Sequence, residues 1–271
     1  LFNVNRVMLV TTAARVGYGA RGVLYLIIGG LAVLAALDLG GDLVGTRGAL
    51  RVLFAQPAGY LLIGAVAGGF ACLAVWRLIQ AWADPSGYGR DLKGLSIRAV
   101  LGASALVHGA IAVSAVRLML GWEIAALAHP GSAFAAWFAS ILSAPLGPWI
   151  TGAIGVAVVG AGVIKIVKAW RAEFDDHLEC GDWIRHWAIP ISRFGLTARG
   201  VVFVLIGASI CLAAYQLKAN RANGLAGVLQ WLEQTPYGWI LLAAVALGLA
   251  AFGVFGLIEA MYRRIGAQDI D

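Results

Sequence analysis

Six long runs of apolar residues, each almost free of ionisable side chains in its middle, constrain this chain more than any other feature. They cover 19–38, 58–80, 99–121, 147–167, 198–217 and 237–260. A bilayer core about 30 Å thick is crossed by about 20 apolar residues in an α-helix, and an unpaired charge near the middle of such a helix is costly. Of the 271 residues 61% are hydrophobic and only 13% are charged, too few polar groups to coat a water-soluble fold of this size. The expected class is an all-α integral membrane protein of six transmembrane helices. Cys72, Cys180 and Cys211 form no paired spacing and imply no disulfide framework. No cleavable leader opens the chain; Leu1 is not a methionine, so further residues are expected upstream.

The segments between the runs are of two kinds. After the first, third and fifth runs come Gly48–Pro57, Ser132–Pro145 and Gly224–Pro236. Each is too short to span and ends in proline. Apolar residues recur three or four apart in them, as in Leu50, Leu53 and Phe54 or Leu225, Leu229 and Leu232, which predicts short helices lying flat at the membrane interface. After the second and fourth runs the linkers are charged, 84–93 and 171–182, and read as water-exposed.

The chain also repeats itself. Arg15, Gly17, Ala20, Arg21, Gly22, Val23, Ile28 and Gly29 recur without a gap as Arg193, Gly195, Ala198, Arg199, Gly200, Val201, Ile206 and Gly207. Pro57-x-Gly59, Pro145-x-Gly147 and Pro236-x-Gly238 open the three even-numbered runs. The same registration pairs Arg77 with Lys165 and Gly256, and Gln80 with Lys168 and Glu259. In the middle repeat Arg98 matches Arg15, Ser104 stands where the others have Arg21 and Arg199, and His108 where they have Tyr25 and Phe203. The boundaries read 1–94 for repeat one, 95–188 for the divergent repeat two and 189–271 for repeat three.

The Arg-x-Gly-x-x-Ala-Arg-Gly entry to the odd helices, the Gly-Ala-Leu connector and the Pro-x-Gly restart resemble the bacterial domain-of-unknown-function family 1206, whose unit is two transmembrane helices, usually present three times. The resemblance covers nearly the whole chain and is clearest in repeats one and three. It implies an architecture and brings no activity, cofactor or catalytic residue. Because each unit spans twice, all copies enter from the same side. The expected arrangement is three parallel two-helix repeats about a pseudo-threefold axis, with the short interfacial helices after helices 1, 3 and 5. Mitochondrial carriers share that plan, but their Pro-x-acidic-x-x-basic signature is missing, and the likeness is one of architecture alone.

Of the 20 Lys and Arg residues, all but Arg47, Arg51, Arg117, Lys218 and Arg221 fall on the side of the termini. That excess predicts a multi-pass protein of the bacterial cytoplasmic membrane with both termini inside. Trp76, Trp82, Trp170, Trp183 and Trp187 would mark the cytoplasmic interface, and Trp122, Trp137, Trp149, Trp231 and Trp239 the outer one, where indole prefers to sit.

Ser104 and His108, four apart on one helical face, are the intramembrane polar pair. No Gly-x-Ser-x-Gly or His-Glu-x-x-His motif accompanies them, so a helix-packing bond is expected rather than a hydrolytic dyad. A haem would lack a second intramembrane histidine, and no cofactor is expected. His177, Cys180 and His186 lie among acidic residues, but no second His-x-x-Cys pair follows; a solvated loop is expected and no metal. The basic cluster is the most informative feature. Arg21, Arg77, Lys165 and Arg199 should stand at one depth near the cytoplasmic boundary. Topology and snorkelling account for such residues; the sharper reading is a contact with anionic lipid or another anion, and Arg21 and Arg199, each followed by glycine, are expected to reach up to a phosphate or across to a carboxylate or helix-end carbonyl. Gln80, Lys168 and Glu259 form a second candidate cluster. Turned toward the axis, Lys168 and Glu259 would bridge; turned outward, the reading preferred here, they are ordinary interface residues.

The functional expectation is a non-catalytic membrane protein, an accessory, scaffold or lipid-organising subunit. Its partners would be membrane lipids, chiefly anionic ones, and another membrane protein, with no nucleic acid. The alternative is a transporter or channel for a small solute or ion, with a cavity on the repeat axis.

Overall fold

The computed structural model describes residues 4–84, 87–122, 138–171, 182–218, 222 and 224–262. Regular structure in them is helical: α1 (Val4–Ala36), α2 (Thr46–Phe54), α3 (Gly59–Ala83), α4 (Leu92–Met119), α5 (Gly147–Arg171), α6 (Asp182–Gln216), α7 (Leu225–Glu233) and α8 (Gly238–Tyr262). Six stretches are long and apolar enough to cross a membrane: Thr12–Ala36, Gly59–Ala83, Gly94–Met119, Gly147–Arg171, His186–Gln216 and Gly238–Tyr262. They coincide with the six apolar runs. Much of their surface faces outward and is apolar, with Leu61, Leu106, Val156 and Leu247 exposed. Water would not tolerate such a surface, whereas lipid is its natural solvent.

The three Pro-x-Gly turns are built alike. Gly59 N–H donates to the Gln56 carbonyl, Gly147 N–H to that of Ala144 and Gly238 N–H to that of Thr235, each at 2.8 Å. A Cβ on any of these glycines would run into the carbonyls closing the preceding helical turn, so the chain can reverse this tightly only with glycine there. The connectors α2 and α7 bury one face each: Ala49, Leu50 and Leu53 in α2, and Ala226, Val228, Leu229 and Leu232 in α7. Residues 138–142, helical as well, precede the middle turn. The first part of the middle connector, 132–137, lies outside the described residues.

The spans pack in an arc that runs from α4 through α3, α1, α8 and α6 to α5. The most extensive interfaces join α3 to α4, α5 to α6 and α8 to α1; all three lie between one repeat and the next. The spans of repeat one, α1 and α3, and those of repeat three, α6 and α8, pack less extensively, and α4 and α5 share no comparable interface. Between lipid-solvated helices association depends on close packing, which small residues permit. A Cβ on Gly22 would lie 2.8 Å from the Gly253 carbonyl, and one on Gly162 2.7 Å from that of Gly200. Gly22 matches Gly200 and Gly253 matches Gly162 in the repeat, so the α8–α1 and α5–α6 interfaces use one register. The α3–α4 interface follows it more loosely: Gly102 faces Ala81 at 3.8 Å, as Gly19 faces Ala260 at 3.6 Å.

Candidate functional site

Arg21 enters the α8–α1 interface about two turns inside the span. Gly22 behind it lets α8 come close, and the guanidinium turns into the bundle, where it is buried. There it forms an ion pair with Glu259 of α8, also buried. The guanidinium lies 5.1 Å from the ring centres of Tyr18 and Phe252. Arg21 therefore does not reach up to the boundary, as snorkelling requires. It is part of the interior, and the desolvation of two charges is offset by their pairing and by the aromatic faces.

Arg199 holds the matching place in α6 and uses the same aromatic wall. Its guanidinium is 4.3 Å from the Phe252 ring, 5.2 Å from Tyr25 and 5.4 Å from Phe203. Lys165 Nζ of α5 is 5.5 Å from the Phe203 ring. Arg77 of α3 donates to Gln80 Oε1 at 3.0 Å. The charges of Arg199, Arg21, Arg77 and Glu259 all act on Lys165, and those of Arg21, Arg199 and Arg77 act on His108. The four basic residues thus converge in one region, carried by α1, α3, α5 and α6. Among the described residues Arg77, Lys165 and Arg199 have no carboxylate partner, and the Nε atoms of Arg21, Arg77 and Arg199 are buried without an acceptor. Aromatic faces stabilise a cation but accept no conventional hydrogen bond, so the cluster keeps an excess of donors.

The second trio is split. Gln80 and Glu259 are buried, against the outward orientation expected of them, whereas Lys168 is exposed as expected. The carboxylate envisaged for Lys168 is engaged by Arg21. The register carries the reason. The α8–α1 pair Glu259 and Arg21 corresponds to Lys168 and Arg199 between α5 and α6, and to Gln80 and Ser104 between α3 and α4. One interface receives opposite charges, the second two like charges and the third none. Comparing even helices only with one another hides this; pairing each odd helix with the preceding even one would have revealed Arg21 and Glu259.

His108 is buried and stacks on Phe70, with ring centres 5.7 Å apart. Its Nδ1 lies 2.6 Å from the Ser104 carbonyl oxygen and 3.3 Å from Ser104 Oγ. So short a contact with a carbonyl assigns the proton to Nδ1. Nδ1 then has no lone pair with which to activate Ser104, and the pair is a bond within the helix. His186 is exposed and sits edge-on to Trp187; His177 and Cys180 lie outside the described residues.

Near the ends of two spans, Arg98 of α4 donates to the Ala81 and Trp82 carbonyls at 2.8 and 2.9 Å, capping the end of α3. Asp84 accepts from the Tyr88 and Gly89 N–H groups at 2.9 and 2.8 Å. Desolvation raises the Asp84 pKa, but the Gly89 and Tyr88 bonds and the charge of Arg98 outweigh it and hold the carboxyl below its ordinary range.

Six apolar helices made by a tandem two-span unit define a multi-pass α-helical membrane protein with an internal repeat. The chain belongs to the family described as Domain of Unknown Function (DUF1206), whose model matches residues 16–84, 99–172 and 194–263, one stretch per repeat. It is similar to a Bacillus subtilis (strain 168) protein described as "Uncharacterized protein YxxB", with 28% identity over 254 residues, 93% of this chain and 90% of that protein. No solved structure matches.

Proposed function

We propose that this chain is a non-catalytic, lipid-organising membrane protein that holds an anionic group at the cluster of Arg21, Arg77, Lys165 and Arg199. The observation that carries this reading is the imbalance of charge: four basic side chains converge inside the helix bundle, and Glu259 is the one carboxylate placed with them among the described residues. Cations buried in a low-dielectric setting need a counter-charge, and a phosphate offers several strong acceptors to guanidinium and ammonium donors.

The rest of the architecture fits. Spans that follow one another around an axis in chain order, with matching registers at the interfaces between repeats, support a pseudo-threefold axis along the membrane normal. The amphipathic α2 and α7 suit helices lying at the interface. The excess of basic residues on the side of the termini supports the cytoplasmic membrane of a bacterium with both termini inside. The cluster then faces the leaflet in which anionic lipids attract basic residues. Chromatographically purified wild type should retain phosphatidylglycerol or cardiolipin in native mass spectrometry, and the variant Lys165→Gln/Arg199→Gln should lose most of it. Equal retention by the two proteins contradicts the reading.

Because the basic residues lie on the inner side of an arc joined by α8 and α1, a second reading is an anion transporter with its site on the axis. Flux of a small anion into vesicles, abolished by the same double substitution, would favour it over lipid organisation.

A further inference from the structure

The two spans of the middle repeat do not close on each other as those of the outer repeats do. In repeat one Gly17, Ala20 and Leu24 of α1 are buried, as are Gly69, Leu73 and Trp76 of α3. A Cβ on Gly17 would meet Leu73 at 2.7 Å, and one on Gly69 would meet Ala20 at 2.6 Å. In repeat three the corresponding Gly195, Ala198 and Val202 of α6 and Gly248, Phe252 and Phe255 of α8 are buried too, and Gly195 packs on Phe252. In the middle repeat the same positions hold Val100, Ala103 and Val107 of α4 and Ala157, Ala161 and Ile164 of α5. Of these only Ala161 is half-buried; the others are exposed, Val100 by 61%, Val107 by 58% and Ile164 by 57%. Valine replaces Gly17 and Gly195, and alanine replaces Gly69 and Gly248, so the close approach that seals the outer repeats is blocked by the sequence itself.

The seam that results is apolar along its length, and basic residues lie behind it. Ile164 on its wall precedes Lys165, which is within electrostatic reach of Arg77 and Arg199. Ser104 stands on α4 where α1 and α6 carry arginine, leaving this side of the cluster without the bulk of a third guanidinium. Apolar faces left uncovered between α4 and α5, beside cations that have no carboxylate partner among the described residues, are complementary to one class of molecule: a lipid with an anionic phosphate headgroup.

We propose that the gap between α4 and α5 is a lateral lipid site, in which an acyl chain lies along Val100, Val107, Ala157 and Ile164 while the phosphate meets Lys165, Arg77 and Arg199. This rests on reading the basic cluster as an anion site. It adds the source of the anion and its route, and it assigns the divergence of the middle repeat a purpose.

The test adds bulk to the seam after the protein has folded. Val107→Cys is labelled with a bulky methanethiosulfonate, and wild type, with its own cysteines, is treated identically. Both are placed in nanodiscs of phosphatidylcholine and phosphatidylglycerol, and bound lipid is read by native mass spectrometry. Labelled Val107→Cys should lose phosphatidylglycerol severalfold relative to treated wild type and regain it once reductant removes the label. Lys165→Gln/Arg199→Gln should lose roughly thirtyfold, since each neutralised basic residue is worth about a fivefold factor in binding. If that double variant loses lipid but the labelled seam does not, the anion site stands and the lateral route is overturned. If neither loses lipid, both are overturned. If wild type binds inorganic phosphate in detergent at this cluster but retains no phosphatidylglycerol, the ligand is a free anion and the lipid assignment fails. A dimer joined through the labelled face would make the occupant a second copy of the chain and overturn it as well.

Discussion

Arg21 and Arg199 occupy one position of a repeated unit, are both followed by glycine, and both lean on Phe252, yet they have different electrostatic neighbours. Arg21 faces Glu259 across the α8–α1 interface. Arg199 has Lys168 at the matching place on α5, and Lys168 is exposed, on the solvent or lipid side of its helix. The same backbone device therefore yields a neutral, closed pair at one interface and, at another, a cation set against aromatic rings with no carboxylate partner among the described residues. Repetition supplies the scaffold, and a change at one equivalent position decides whether a buried charge is spent on structure or left for a ligand.

The largest effect should come from breaking the closed pair. Glu259→Gln leaves Arg21 buried without its counter-charge, a loss of about 3–5 kcal/mol for a buried pair with one partner removed, seen as a marked fall in thermal midpoint in detergent. Arg199→Gln removes a charge that has no carboxylate to leave behind, and its midpoint should change far less. Equal destabilisation by the two would erase the distinction. Next, Arg21→Gln/Glu259→Gln should recover most of the loss. In a double-mutant cycle the coupling should reach roughly 1–3 kcal/mol, whereas a cycle of Arg199 with Lys168 should give coupling of the opposite sign or none. A smaller effect should follow Lys168→Glu, which offers Arg199 the acid its counterpart has. The position is exposed, so stability should rise by at most about 1 kcal/mol, and anionic lipid retention should fall because the donor is now occupied. The smallest concerns the loop after α3. Since the Asp84 carboxyl is held below its ordinary range, its contribution is present above the unfolded pKa and is lost as pH falls through the folded one. Protection of the Tyr88 and Gly89 amides, measured against their intrinsic exchange rates, should hold at neutral pH and fall as pH drops through the folded-state pKa, and in Asp84→Asn that acid dependence should vanish.

Much of the fold was legible because its signals are local. Six apolar runs whose few charges lie toward their ends report the bilayer without any knowledge of packing, and the Pro-x-Gly turns mark where each even span must start, since a Cβ there would strike the preceding carbonyls. The ungapped match of Arg15–Gly29 to Arg193–Gly207 reveals the repeat, as the family match confirms in three stretches. The basic residues could also be grouped from their repeat positions. Their direction was not legible. A helix in lipid carries no amphipathic contrast to orient it, because its inner and outer faces are both apolar, so the inward turn of Arg21, Gln80 and Glu259 is set by which helices become neighbours. That order depends on small residues meeting across repeats, as Gly22 meets Gly253, and it emerges only when odd and even helices are compared together. The open seam of the middle repeat was hidden for the same reason: Val100 and Ala157 look like ordinary membrane residues until set beside Gly17 and Gly69.

Melting in nanodiscs puts the unpaired basic cluster to the most direct trial. Thermal midpoints are compared in pure phosphatidylcholine and in phosphatidylcholine with phosphatidylglycerol, for wild type and for Lys165→Gln/Arg199→Gln. A ligand that binds the folded state alone raises its stability by an amount that grows with the logarithm of its concentration over Kd. The midpoint of wild type should therefore rise with phosphatidylglycerol, while that of the double variant should not respond. An identical rise in both proteins, or none in either, would contradict an anion held by Lys165 and Arg199.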